Sequence, residues 1–226
     1  MTVELVQGTD EWRLARCGSL GASRVADALA KTKSGWGASR DNLIAELVAE
    51  RLTGTPAEGF TNAAMQWGTA TEPFARAAYE FRTDASVMEV GLVRHPRIKG
   101  THASPDGLVG DDVMLEIKCP QTATHIATLR GGSIPGKYVT QMQWQLCCAE
   151  RDYCDFVSFD PRMPEHMRFF VKRLNRNDVL IAQMEKDVAT FLAEVDETIA
   201  ALNAACVQTP PLKQQLNQSL NIISAG

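Results

Sequence analysis

Residues 104–120, SPDGLVGDDVMLEIKCP, restrict the fold of this chain more than any other stretch. Val113 to Lys118 reads as a strand, and Pro120 ends it. Upstream, Asp106 precedes a turn at Gly107. A period of two sets Glu116 and Lys118 on one face and turns Ile117 toward the core. If Asp106 lies on the neighbouring strand of a short hairpin, two carboxylates and an ammonium converge. Two oxygen donors suit Mg2+, which prefers oxygen ligands and keeps waters. Such an ion acidifies a bound water and offsets charge building on a phosphodiester. The ammonium can orient that water, or take its proton if the site depresses its pKa. Each half of the pattern also has a plainer reading. E-x-K on a strand is commonly a solvated face with a weak ion pair, and PDG is a routine turn.

Helical periodicity surrounds this strand region. Asp10 can cap a helix containing Trp12 and Leu14, and a second helix starts near Ser23 and includes Val25 and Leu29. Residues 32–39, TKSGWGAS, read as a flexible loop bearing Trp36. Leu43, Ile44, Leu47, Val48 and Leu52 form an apolar stripe ended by Gly54 and Pro56. Residues 62–81 give another helix, with Trp67, Phe74, Ala78 and Phe81 on one face. SVMEVGLVRHP is expected as one strand, residues 137–149 as a helix, and 153–159 and 167–174 as two strands. A long amphipathic helix then carries Leu180, Met184, Val188, Phe191, Val195, Ile199 and Leu202. Helices before, between and after a few strands imply an α/β (α+β) domain over residues 1–206. Residues 207–226, with Pro210-Pro211 and many Gln, Asn and Ser, are expected as a flexible polar tail.

Composition argues against some classes. No apolar run reaches the ~18 residues of a membrane span, and the start has no leader pattern. The six cysteines form no CxxC pair, so neither a zinc motif nor a disulfide framework is expected, and a cytoplasmic protein is. The four histidines lack metal-ligand spacing; His102 lies near Asp106 in sequence. Net charge is −4, which is wrong for a nonspecific coat on DNA. Residues 1–40 nonetheless hold six basic against four acidic side chains, and 176–204 hold two against six. Local fields guide a polyanion more than the total does.

The order of motifs resembles a known family. PD followed by ExK resembles the PD-(D/E)xK nucleases of restriction-endonuclease-like fold. QGTDEW, RCGSLGAS, QWGTATEPFA, SPDG, LEIKCP, YVTQMQWQL and FDPRM look like the phage lambda exonuclease and YqaJ-type viral recombinase group. The resemblance implies a small mixed central sheet flanked by helices. It also implies a Mg2+-dependent 5′–3′ exonuclease on duplex DNA, with Mn2+ as a substitute and two ions per site. Asp106, Glu116 and Lys118 would be catalytic, with Glu72 and Gln141 beside them. Asp106, Glu116, Glu72 and the carbonyl of Ile117 would hold metal. For Glu72 the plainer reading is an i,i+4 pair with Arg76. Arg16 and Ser23 would grip a DNA 5′-phosphate; the plainer reading makes Ser23 a helix cap and Arg16 a surface charge. Trp36 could stack on a base, whereas Trp12 and Trp67 read as core.

The implied partners are double-stranded DNA ends, two further copies of the chain in a ring-shaped homotrimer, and a single-strand annealing protein. Activity would leave 3′ overhangs for recombination in a bacterial host, and the origin would be a phage or prophage. Two other readings stay open: a structure-specific or repair endonuclease on the same fold, and a nuclease-derived DNA-binding protein without catalysis.

Overall fold

The computed structural model describes residues 5–33, 35–57, 59 and 61–207. In chain order its first half comprises α1 (Asp10–Arg16), β1 (Leu20–Gly21), α2 (Val25–Ala28), β2 (Lys31–Thr32), β3 (Gly35–Trp36), α3 (Ala38–Thr53) and α4 (Ala63–Thr83). Five strands follow: β4 (Val87–Met88), β5 (Val93–Arg94), β6 (Thr101–Ala103), β7 (Gly107–Val109) and β8 (Val113–Lys118). Then come α5 (Thr122–Gly131), α6 (Gly136–Ala149), β9 (Tyr153–Phe159), β10 (Phe169–Asn175) and α7 (Asp178–Val207).

The main sheet has the order β10-β9-β8-β7-β4, with β8 and β9 parallel and the other pairs antiparallel. A smaller sheet, β1-β6-β5, and a β2–β3 hairpin complete a mixed α/β fold. The α/β expectation holds, with a long C-terminal helix. The helix α4 covers one face of the main sheet through Ala75 and Tyr79, which meet Leu115, Ile117 and Val157. On the other face, Met142 and Leu146 of α6 meet Met114 and Phe156. Trp144 of the same helix packs with Leu47, Val188 and Phe191, on α3 and α7. Every residue from Met142 to Cys148 is therefore buried, as expected for a helix enclosed between two layers. Truncating Trp144 to Ala there would cost about 3–5 kcal/mol.

Several sequence expectations need correction. The side chain of Thr9, not Asp10, caps α1 by accepting from the backbone N of Trp12. The helix expected from Ser23 shrinks to one 3-10 turn and the four residues of α2. The loop expected at 32–39 contains parts of regular elements: β2 pairs with β3, and α3 begins at Ala38. The expected strand 86–96 divides into β4 and β5, which belong to different sheets. They part at Gly91, where any Cβ would overlap the carbonyl of Leu5. In α4 the apolar face is rotated: Thr71, Ala75 and Tyr79 are buried, whereas Phe74 and Phe81 are 67% and 91% exposed. The helix α5 carries no apolar stripe and escaped the sequence reading. The tail expected at 207–226 lies outside the described residues, apart from Val207 at the end of α7.

Candidate active site

The hairpin β7–β8 forms as expected, but its turn lies at Gly110 to Asp112 and not at Gly107. Gly107 opens β7, and a Cβ there would lie 2.2 Å from a methyl carbon of Val87. Glycine is therefore demanded by the β4 strand beside it, and this places Asp106 at the edge of β7. The backbone N of Asp106 bonds the carbonyl of Leu115 (3.1 Å), and its Oδ2 accepts from the backbone N of Ile117 (2.6 Å). The N–H and C=O of one strand residue point to the same side, so the Ile117 carbonyl also turns toward Asp106.

Glu116 is 1% exposed. Its Oε1 accepts from Gln141 Nε2 (2.7 Å) and from Lys118 Nζ, and its Oε2 accepts from Gln145 Nε2 (2.7 Å). Both glutamines stand on α6, four residues apart. Gln141 was expected here. Gln145 was not, although the Q-x-x-x-Q spacing puts it on the same helical face. Lys118 also lies over the ring of Tyr138 at 5.4 Å. Burial works against its charge, but Glu116 and Asp106 outweigh burial and raise its pKa. The ammonium thus stays charged, which suits the first of the two roles open to it, orienting a water, and not the second, taking its proton.

From α4, Glu72 joins this group. The pair with Arg76 is present (2.6 Å), and Arg76 also reaches the carbonyl of Asp106 (3.3 Å) and Glu89 (3.0 Å). Arg76 therefore ties the helix to the hairpin. Burial first, then the neighbouring Glu116, raises the pKa of Glu72 despite Arg76. Asp106 is raised well above the usual carboxylate range, by burial and then by Glu116. Carboxylates that repel one another in a partly closed site form an oxygen-donor set with unmet negative charge. Asp106, Glu72, Glu116 and the Ile117 carbonyl fit a hard divalent cation on those grounds.

A cavity of about 140 Å3 adjoins the centre, lined by Trp12, Arg16, Ser23, His102, Gln141 and Gln145 among others. Arg16 stacks on Trp12 (3.9 Å) and donates its Nε–H to His102 Nε2 (3.0 Å). Trp12 is thus a wall of the cavity and not core; its Nε1 bonds the carbonyl of Gly91 (2.7 Å). Among the described residues, the two terminal nitrogens of Arg16 make no hydrogen bond, and neither does the exposed Ser23 hydroxyl. Ser23 is not the helix cap of the plainer reading, because Gly21 and Arg24 occupy the cap positions there. His102 belongs to this cavity and makes no bond to Asp106. Burial, then Arg16 and Arg94, lowers its pKa to about 3.

Trp36 lies elsewhere, on β3. It is 42% exposed, with Arg40 (4.1 Å) and Lys31 (4.8 Å) over its ring. Trp67 is half-buried, with Arg162 over its ring at 4.3 Å, so it too is not core. His95, Cys147 and Glu185 form a further cluster with ligand atoms mutually within 4.8 Å. There His95 Nδ1 accepts from the backbone N of Arg97 (3.2 Å) and of Ile98 (3.0 Å). Its proton therefore resides on Nε2, facing Cys147 and Glu185, and the cluster is closed by hydrogen bonds. Among the described residues, no helix is long and apolar enough to cross a membrane.

Fold and site together define a mixed α/β protein with a carboxylate–lysine centre joined to an arginine-lined cavity. The chain belongs to the YqaJ-like viral recombinase domain family, whose model matches residues 11–152. It is similar to the alkaline exonuclease LHK-Exo of Laribacter hongkongensis, at 50% identity over 88% of this chain and 99% of that one. The TM-score is 0.83 for the LHK-Exo complex with dAMP. A phage-related exonuclease of Haemophilus somnus shares the fold at 15% identity, covering 81% and 96% of the two chains (TM-score 0.64). An uncharacterized protein of Acanthamoeba polyphaga mimivirus is 31% identical over 121 residues, 48% of this chain. That match spans only 22% of the viral protein.

Proposed function

We propose that this chain is a metal-dependent deoxyribonuclease that digests one strand of duplex DNA from its 5′ end. The product would be a 3′ single strand ready for annealing. One observation carries the reading: Gln141 lines the Arg16 cavity and also bonds Glu116, so an anion pocket and an acidic centre share a wall. A nuclease that works from an end needs such a pair, one to hold the terminal phosphate and one to cut beside it. The 50% identity to an alkaline exonuclease supports the same reading.

Asp106, Glu72, Glu116 and the Ile117 carbonyl would hold Mg2+ or Mn2+, and we propose two ions. Bound there, the metal supplies an acidified water and neutralises charge on the phosphodiester. The protein's own groups do the rest. Lys118, kept charged by Glu116 and Asp106, donates to the scissile phosphate and stabilises its growing charge. Gln141 holds Glu116 in place. Arg16 retains two free nitrogens for bidentate contact with a phosphate, its ring-side nitrogen being committed to His102. Ser23 adds a hydroxyl.

The chain would act in the cytoplasm of a bacterial host as part of a phage or prophage recombination system. We propose a homotrimer and a single-strand annealing partner. Phe74 and Phe81, exposed on α4, supply apolar surface for assembly. The test of function is digestion of closed-circular duplex and of linear duplex labelled at either end. Release of 5′ label from linear DNA, with circles intact, is expected. Cut circles would establish the endonuclease alternative, and no cleavage of any substrate the non-catalytic one.

A further inference from the structure

We propose that Gln145 is a positioning residue for the nuclease reaction, one that fixes the orientation of Glu116. The inference rests on the nuclease reading above. Gln145 is 1% exposed on α6, one turn beyond Gln141. Its Nε2 donates to Glu116 Oε2 at 2.7 Å. A carboxylate only accepts, so the amide must present its N–H side to Glu116. That choice turns Oε1 the other way, and Oε1 is buried without a partner.

An interior kept for packing alone would be better served by Met or Leu, because a buried carbonyl with no donor is costly. The cost is understandable if the N–H is required. The terminal torsion of a glutamate is broad and holds no orientation by itself. Gln141 bonds one carboxylate oxygen and Gln145 the other, so the plane of Glu116 is set from both ends. Without Gln145 the carboxylate would be held at Oε1 only, by Gln141 and Lys118. Partners that orient a metal-holding carboxylate set metal affinity as well as rate.

The test uses full-length Gln145→Leu and Gln145→Met, both without the amide; the Met variant keeps the side-chain length and decides if the Leu variant melts. Mn2+ binding is followed by electron paramagnetic resonance without DNA, and kcat and KM are measured on 5′-phosphorylated duplex. The expected result is Mn2+ binding and kcat each weakened by about 10- to 100-fold. KM and the preference for a 5′-phosphate should stay within about two-fold, since the contacts of Arg16 are untouched. A folded Gln145→Met protein with wild-type Mn2+ affinity and kcat overturns the proposal. Wild-type protein that neither binds Mn2+ nor cuts DNA removes the nuclease reading beneath it, a result distinguishable from the first.

Discussion

Arg16 donates its Nε–H to Nε2 of His102 at 3.0 Å. A guanidinium has no acceptor, so this ring nitrogen carries a lone pair, and the ring proton resides on Nδ1. Nδ1 then donates to the Ser19 hydroxyl at 2.8 Å. The histidine is a neutral strut with a set tautomer. It pins one edge of Arg16, the indole of Trp12 supports its flat face, and the two terminal nitrogens are left for a ligand.

If that ligand is a terminal phosphate, end chemistry controls the rate. A terminal phosphate carries close to one more negative charge than a diester, because its second pKa is near ~6. Linear duplex with 5′-phosphates should be degraded faster than duplex with 5′-hydroxyls. Arg16→Ala should cut that preference by about 10- to 100-fold, the worth of one or two charge-assisted hydrogen bonds. It should lower processivity more than the first cleavage. Ser23→Ala should act in the same direction and more weakly. Timed digestion of duplexes with both end types decides; equal rates on the two ends in wild type would return Arg16 to an ordinary surface charge.

Removal of the centre should leave a folded, inert protein. Asp106→Ala, Glu116→Ala and Lys118→Ala should each lower cleavage by at least about a hundred- to a thousand-fold. Chelation with EDTA should abolish activity, Mg2+ or Mn2+ should restore it, and Ca2+ should not support turnover. Near-normal cleavage by Lys118→Ala would contradict its assigned role as donor to the phosphate.

Much of the centre was legible because its carriers are local. Asp106, Glu116 and Lys118 lie within one hairpin, and alternation along β8 with Pro120 behind it exposes the register. The strands β9 and β10 were legible for the same reason. Other features depend on contacts that no local pattern encodes. The division of 86–96 between two sheets comes where Leu5, distant in sequence, approaches Gly91. The buried face of α4 was misread because the helix has apolar residues all round, and the sheet took Ala75 and Tyr79 in place of the larger Phe74 and Phe81. Gln145 did not stand out from the other glutamines of its helix, since nothing in the sequence says that α6 is enclosed on both sides. The two charged segments also meet in three dimensions. Arg40, from the basic first segment, pairs bidentately with Glu194 of the acidic last one. Part of each field is thereby cancelled inside the protein.

Assembly is open to a direct measurement. Sedimentation equilibrium at micromolar protein should give three times the 24.7 kDa chain mass. Phe81→Glu places a charge where α4 is 91% exposed, so a folded variant with reduced mass would locate the contact on that helix. A wild-type monomer that still digests thousands of nucleotides per encounter would sink the ring proposal.

The neutral strut also has a thermodynamic signature. His102 titrates near ~6.5 in the unfolded chain, but at about 3 in the folded protein, where burial and then the charges of Arg16 and Arg94 oppose protonation. Between those values the unfolded chain binds a proton that the folded one refuses, so this group's contribution falls as pH falls from about 6.5 toward 3. At pH 4 the unfolded state has gained about 2.5 pK units of protonation free energy, or roughly 3 kcal/mol. The ring is 1% exposed, so little of this is screened by solvent. Other groups titrate in the same range, and a variant subtracts them. Between pH 7 and pH 4, wild type should lose about 3 kcal/mol more than His102→Gln in urea unfolding. Parallel losses in the two proteins would mean that the folded protein accepts the proton as readily as the unfolded chain, which Nε2 cannot do while it accepts from Arg16, and the strut assignment would be wrong.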